Sequence, residues 1–136
     1  MKVVADTNIY ISALLFGGVP GTFLDLALLR AFQLVASEAI LEELEEKLKE
    51  KFRVQAEDIE VSLRRIREAA VVVKPAFSLQ VIADDPDDDR ILECAVAAQA
   101  DCIVSGDRHI LRLGNYAGMD VLTVRQFLDR LQLPGM

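Results

Sequence analysis

The sequence predicts an α/β domain with a mostly parallel central sheet of four or five short strands flanked by helices. Two observations carry that prediction. Short runs of small or β-branched apolar residues, at 3–5, 32–36, 71–73, 102–104 and 121–123, alternate with longer stretches whose apolar residues recur at helical spacing. The chain has 136 residues, 52% of them apolar, with no internal repeat, low-complexity tract or linker, which suits one domain over residues 1–136 with a real core.

The elements follow in order. Val3-Val4-Ala5 reads as a buried strand that ends on Asp6, and Asn8 is placed to cap a helix over 8–16. Gly17-Gly18-Val19-Pro20-Gly21 breaks the pattern before a second, strongly apolar helix from about Thr22 to Arg30. A strand over 32–36 leads to Ser37, a cap for the helix over 38–51. That helix places Ile40, Leu41, Leu44 and Leu48 on one face; Glu42 and Glu46 point away from the stripe, while Glu43 and Glu45 flank it. A connector over 52–55 precedes an amphipathic helix over 58–70, whose Arg64, Arg65 and Arg67 form a positive cluster. The strand Val71-Val72-Val73 ends at Lys74-Pro75, and a looser apolar stretch over 77–83 runs into Asp84-Asp85-Pro86-Asp87-Asp88-Asp89. A helix over 90–99 follows, and Asp88 lies three residues before Ile91 and seven before Ala95, on the same inward face, with Asp89 turned about 100° from it. The strand over 102–104 ends in Ser105-Gly106-Asp107 and repeats the opening arrangement. A brief helix over 108–113, a turn over 114–118, a strand over 121–123 and a helix over 124–131 complete the chain.

Composition narrows the function. The apolar runs fall short of the about 20 residues that span a bilayer, and the N-terminus lacks the apolar segment of a signal peptide, so a soluble, cytoplasmic protein with no membrane partner is expected. Cys94 and Cys102 sit among apolar neighbours without metal-ligand spacing and read as reduced core thiols. A net charge of −7 opposes binding to nucleic acid through overall charge, so any such role needs a local basic patch or a bound cation. His109 is the only histidine, which excludes a histidine pair; nucleophile-elbow, P-loop and dinucleotide motifs are absent.

Carboxylate chemistry remains. If the strands of Asp6 and Asp107 are neighbours and the helix near Asp88 starts where the chain returns to the sheet, three carboxylates converge at one edge. Uncompensated, they would raise one another's pKa values. A hard cation with oxygen ligands resolves this, and Mg²⁺ takes a few carboxylates plus substrate phosphate. Such a site can polarise a phosphodiester and generate hydroxide. Each residue also has a plain structural reading: Asp6 and Asp107 as turn or cap residues, the aspartate run as capping and solvated loop, Glu43 as surface charge.

The motifs in this order resemble the PIN-domain family, in particular the VapC-like toxins of prokaryotic toxin–antitoxin pairs. The resemblance rests on Val3 to Asn8, on Ser37 to Phe52 with Glu43-Leu44, on Asp85-Pro86-Asp87-Asp88-Asp89 followed by Ile91-Leu92 and Ala95, and on Val104-Ser105-Gly106-Asp107-Arg108-His109-Ile110-Leu111. It implies a three-layer PIN-like domain with an acidic quartet at Asp6, Glu43, Asp88 and Asp107, which is at once catalytic and metal-holding. Asp89 is a register alternative, Asp85 an outer ligand or a further alternative, and Asn8 and Ser105 are supporting polar residues. It further implies an endoribonuclease dependent on Mg²⁺ or Mn²⁺ that cleaves single-stranded RNA with a metal-activated water, a homodimer, and an antitoxin that occludes the site. Arg108, Arg90 and Arg112, with His109, lie beside the carboxylates and are the candidates for RNA phosphates; the solvated face is the competing reading for each.

Rival readings are distinguishable. An aspartyl-nucleophile phosphatase wants a second aspartate two residues after the first, where this chain has Asn8. A phospho-acceptor receiver-like domain shares Mg²⁺, strand-end acids and a Lys-Pro, but there the Lys-Pro comes near the end, whereas here the acidic run follows Lys74. A non-catalytic Mg-binding signalling or partner-binding domain on the same scaffold is the remaining alternative.

Overall fold

Val3, Val4 and Ala5 are wholly buried. Successive side chains on a strand point to opposite faces, so the strand that carries them is covered on both sides. This is β1 (Lys2–Ala5) in a computed structural model that describes residues 1–82 and 86–131. Asp84, Asp85 and the end of the chain from residue 132 lie outside the described residues.

From β1 the chain continues through α1 (Thr7–Phe16) and α2 (Gly18–Leu28) to β2 (Gln33–Ser37), then α3 (Glu38–Glu46), a π-helical turn (Lys47–Lys51), α4 (Ala56–Ala69) and β3 (Ala70–Val73). The second part comprises α5 (Pro86–Ala98), β4 (Cys102–Val104), α6 (Arg108–Leu111), the hairpin of β5 (Asn115–Tyr116) and β6 (Met119–Leu122), and α7 (Val124–Leu131). The strands lie in the order β3-β2-β1-β4-β6-β5, all parallel except β5, which pairs antiparallel with β6. Val3 stands opposite Leu34 of β2 and Cys102 of β4. The chain therefore builds outward from β1 in one direction and then crosses to the other side, so the gap between the C-terminal ends of β1 and β4 is the topological switch point, where open α/β sheets form their crevice.

Local departures from the expected elements have physical causes. The Gly17–Gly21 break is a bend rather than a loop: Gly17 takes φ 71° and ψ −123°, its N–H returns to Ser12 and Ala13, and α1 and α2 meet at 103°. Helix α2 then begins at Gly18, because Pro20 falls in the first turn, where backbone N–H groups need no partner within the helix. The expected turn over 114–118 holds the two residues of β5, which adds one strand to the expected four or five. Ser37 caps α3 as expected, its Oγ accepting from the Ile40 N–H at 3.3 Å. Phe23, Phe32 and Phe127 pack with ring centroids 4.9–5.6 Å apart and fasten α7 to α2 and the start of β2. Cys94 and Cys102 are buried free thiols, and burial pushes the Cys94 thiol up to about 12. Among the described residues, no single helix is long and apolar enough to cross a membrane.

Candidate active site

The two strand–aspartate–helix units meet at the switch point. Asp6 follows β1 and caps α1, its Oδ1 accepting the Asn8 N–H at 2.6 Å; Asp107 follows β4 and caps α6, its Oδ1 accepting the His109 N–H at 2.7 Å. The cap of α1 is thus Asp6, not Asn8, which is exposed. Both aspartates perform the capping that the plain reading assigns them, and each spends one oxygen on it.

Ser105 joins the two units. Its buried hydroxyl donates to Asp6 Oδ2 at 2.5 Å and accepts the Asp107 N–H at 2.9 Å, while the Asp6 N–H donates to the Val104 carbonyl at 3.0 Å. These bonds fix the Asp6 carboxylate at the sheet end with 3% of its surface exposed. Burial raises the Asp6 carboxyl above its ordinary value; the Ser105 hydroxyl and the Asn8 amide oppose that rise, the Asp107 charge adds to it, and the Lys47 charge subtracts from it. The balance is upward, so the charged form of Asp6 is held in place but under-compensated.

Glu43 reaches the same neighbourhood from α3. Thr7, buried next to Asp6, donates from Oγ1 to Glu43 Oε2 at 3.2 Å, and Lys47 Nζ lies 2.9 Å from Glu43 Oε1. Glu45, also expected to flank the stripe, lines a separate cleft of about 690 Å³ between α3 and α4 with Lys49, Ile59, Leu63, Arg64 and Arg67.

The third acidic motif divides. Asp88 is partly buried in the first turn of α5, a helix that packs on β1 and β2. Asp89, expected to turn aside, is the more buried of the two, with 3% of its surface exposed. The reason lies outside the helix: residues 79–82 fold over it, and Asp89 Oδ1 accepts the Val81 and Ile82 N–H groups at 3.0 and 2.8 Å. Asp85 lies outside the described residues. Arg90 is held by Glu93 at 2.9 Å, and the same Glu93 oxygen accepts the Leu79 N–H at 2.7 Å, whereas Arg108 and Arg112 are exposed.

Thr7, Lys47 and Glu93 were not singled out by the sequence reading. Lys47 was detectable as the i+4 partner of Glu43; Thr7 and Glu93 gain their roles only from the fold.

The donor set suits a hard cation: carboxylate and hydroxyl oxygens around a buried, under-compensated Asp6. Among the described residues, however, no three acidic, histidine or cysteine side chains close around a common point. Asp6 and Asp107 meet at the switch point through Ser105, and Glu43 is tied to the same end through Thr7.

Three comparisons bear on this arrangement. A family model described as PIN domain matches residues 2–109. An uncharacterized protein of Methanocaldococcus jannaschii is 29% identical over 97% of this chain and 92% of its own. The crystal structure of VapBC2 from Rickettsia felis, bound to a DNA fragment from their promoter, superposes with a TM-score of 0.62 at 16% identity, covering 89% of this chain and 97% of that one.

Proposed function

The chain belongs to the PIN-domain family, whose members are nucleases, and from that premise we propose that it is a divalent-metal-dependent endoribonuclease acting on single-stranded RNA. The observation that carries this reading is the buried Asp6 carboxylate, set at the switch point beside Asp107 and left under-compensated by its neutral partners. The receiver-like alternative loses its support with the family assignment, and Lys74 belongs to the far side of the sheet, just after the edge strand β3.

In this reading Asp6, Glu43, Asp88 and Asp107 would hold Mg²⁺ or Mn²⁺. When bound, such an ion offsets phosphodiester charge and makes a water molecule a competent nucleophile near neutral pH. The remaining work belongs to the protein. Ser105 donates to Asp6 and so keeps it oriented as an acceptor, and the Asp107 N–H fixes the Ser105 oxygen in turn. Thr7 orients Glu43 in the same way. Asp89 braces residues 81 and 82, which supports Asp88 rather than Asp89 as the member of that pair that would hold the metal. Arg108 and Arg112 supply positive charge for the RNA backbone on a chain that is acidic overall.

The same reading makes the protein a cytoplasmic, homodimeric toxin neutralised by an antitoxin; the VapBC2 likeness supports the antitoxin partner. The test is cleavage of a labelled single-stranded RNA with Mg²⁺ or Mn²⁺. Asp6→Asn and Asp107→Asn are each expected to lower the rate by about 100-fold or more, as loss of a metal-holding group does. Wild-type rates in both variants would remove the assigned site.

A further inference from the structure

Both oxygens of Glu43 are engaged, Oε2 by Thr7 at 3.2 Å and Oε1 by the Lys47 ammonium at 2.9 Å. An i,i+4 pair of this kind on an open helix face is worth only a few tenths of a kcal/mol. This one is set differently. The side chains are 18% and 34% exposed, and Lys47 is the first residue of the π-helical turn that succeeds α3. A π turn changes the direction in which the following side chains leave the helix, and such turns recur at functional sites. The positive charge of Lys47 is also felt at Asp6, so a single ammonium serves two of the acids assigned to the metal.

We propose that Lys47 is a tethered cation that holds Glu43 in the metal-free protein and competes with the divalent ion for it. Lys47 thereby sets the metal concentration at which the site loads. This rests on the metal-site reading above and deepens it. An ammonium and a divalent ion ask the same carboxylate oxygen for its charge, and two cations cannot share it closely without repelling one another. Loading therefore requires the Lys47–Glu43 contact to break. Lys47 is a positioning residue in this scheme, acting through Glu43.

The experiment is calorimetric titration of the full chain with Mn²⁺, with melting temperature as a second readout. It compares wild type with Lys47→Met, Lys47→Arg and Asp6→Asn. Lys47→Met removes the charge while keeping an unbranched side chain, and is expected to bind Mn²⁺ about tenfold more tightly than wild type, because a neighbouring positive charge is gone. Lys47→Arg keeps the charge and is expected to bind like wild type. The rise in melting temperature on adding Mn²⁺ should be larger for Lys47→Met than for wild type. If Lys47→Met does not fold, Lys47→Gln removes the same charge and can still hydrogen-bond to Glu43. Equal or weaker binding by the uncharged variants, with binding abolished in Asp6→Asn, would overturn the role of Lys47 and leave the metal site standing. No Mn²⁺ binding by any of the proteins at millimolar concentration would overturn the metal site and this competition with it.

Discussion

Asp6 and Asp89 leave the same 3% of their surface exposed, and each accepts two short hydrogen bonds, yet they sit in opposite circumstances. Asp89 Oδ1 receives two backbone amides from residues 81 and 82, so its carboxylate ties down a length of chain. Asp6 receives one amide and one hydroxyl and faces the charge of Asp107 across the gap between β1 and β4. Burial by itself therefore does not separate a structural acid from a candidate functional one. What separates them is whether the surroundings complete the carboxylate or leave it under-compensated. Glu93 belongs with Asp89, since it is satisfied by Arg90 and the Leu79 amide.

The comparison can be broken by exchanging the consequences of mutation. Asp89→Ala should have the largest effect on stability, about 2–4 kcal/mol from two amides deprived of their acceptor. Thermal unfolding would register this as a Tm lower by roughly 10 °C. Cleavage measured well below that temperature should stay within a few-fold of wild type. A loss of activity with unchanged stability would place Asp89, not Asp88, among the metal-holding acids.

Asp6→Asn should do the reverse, raising the Tm of the metal-free protein by a few degrees at neutral pH while activity is lost. The sign follows from the raised Asp6 carboxyl: the native state keeps this proton longer than the unfolded chain. Stability contributed by Asp6 is then fully present below its unfolded value and is lost as pH rises through the folded one. Melting curves of wild type and variant across that interval should diverge as pH rises, with the variant ahead. Parallel curves would mean that Asp6 is as complete as Asp89.

The smallest effect sharpens the contrast. Ser105→Ala removes the hydroxyl that links Asp6 to the Asp107 amide, and a reduction in cleavage of about tenfold is expected, as for partners of metal-holding groups. Ser105→Thr keeps the hydroxyl and should retain most activity. Equal rates for alanine and threonine would show that the Ser105 bridge holds the fold alone.

What could be read in advance follows from the range of the interactions. The alternation of strands and helices, the Ser37 cap and the placement of Asp6 and Asp107 after buried strands are local patterns, and they survive in the fold. Helix phase assigned Asp88 and Asp89 to different faces but had no knowledge of the loop over 79–82, so it missed that Asp89 is enclosed. The bend at Gly17 escaped because Gly-Gly and Pro mark a break without saying whether a helix resumes at once. Thr7 and Glu43 are 36 positions apart, and Ser105 and Asp6 are 99 apart. Bonds over such separations are decided by which strands become neighbours, information that no sequence window contains.

The position of β4 has a consequence for how the protein comes into being. Strand β1 is synthesised well before its neighbour on one side, β4, which begins only at Cys102. Until that segment emerges, the future centre of the sheet is an open edge, a row of unpaired backbone groups available to the wrong partner. A nascent chain stopped before residue 102 can hold β1, β2 and β3 but neither Ser105 nor Asp107. The same insertion that protects the newborn chain from misassembly also completes the proposed cutting site, so shelter and the proposed activity arrive together.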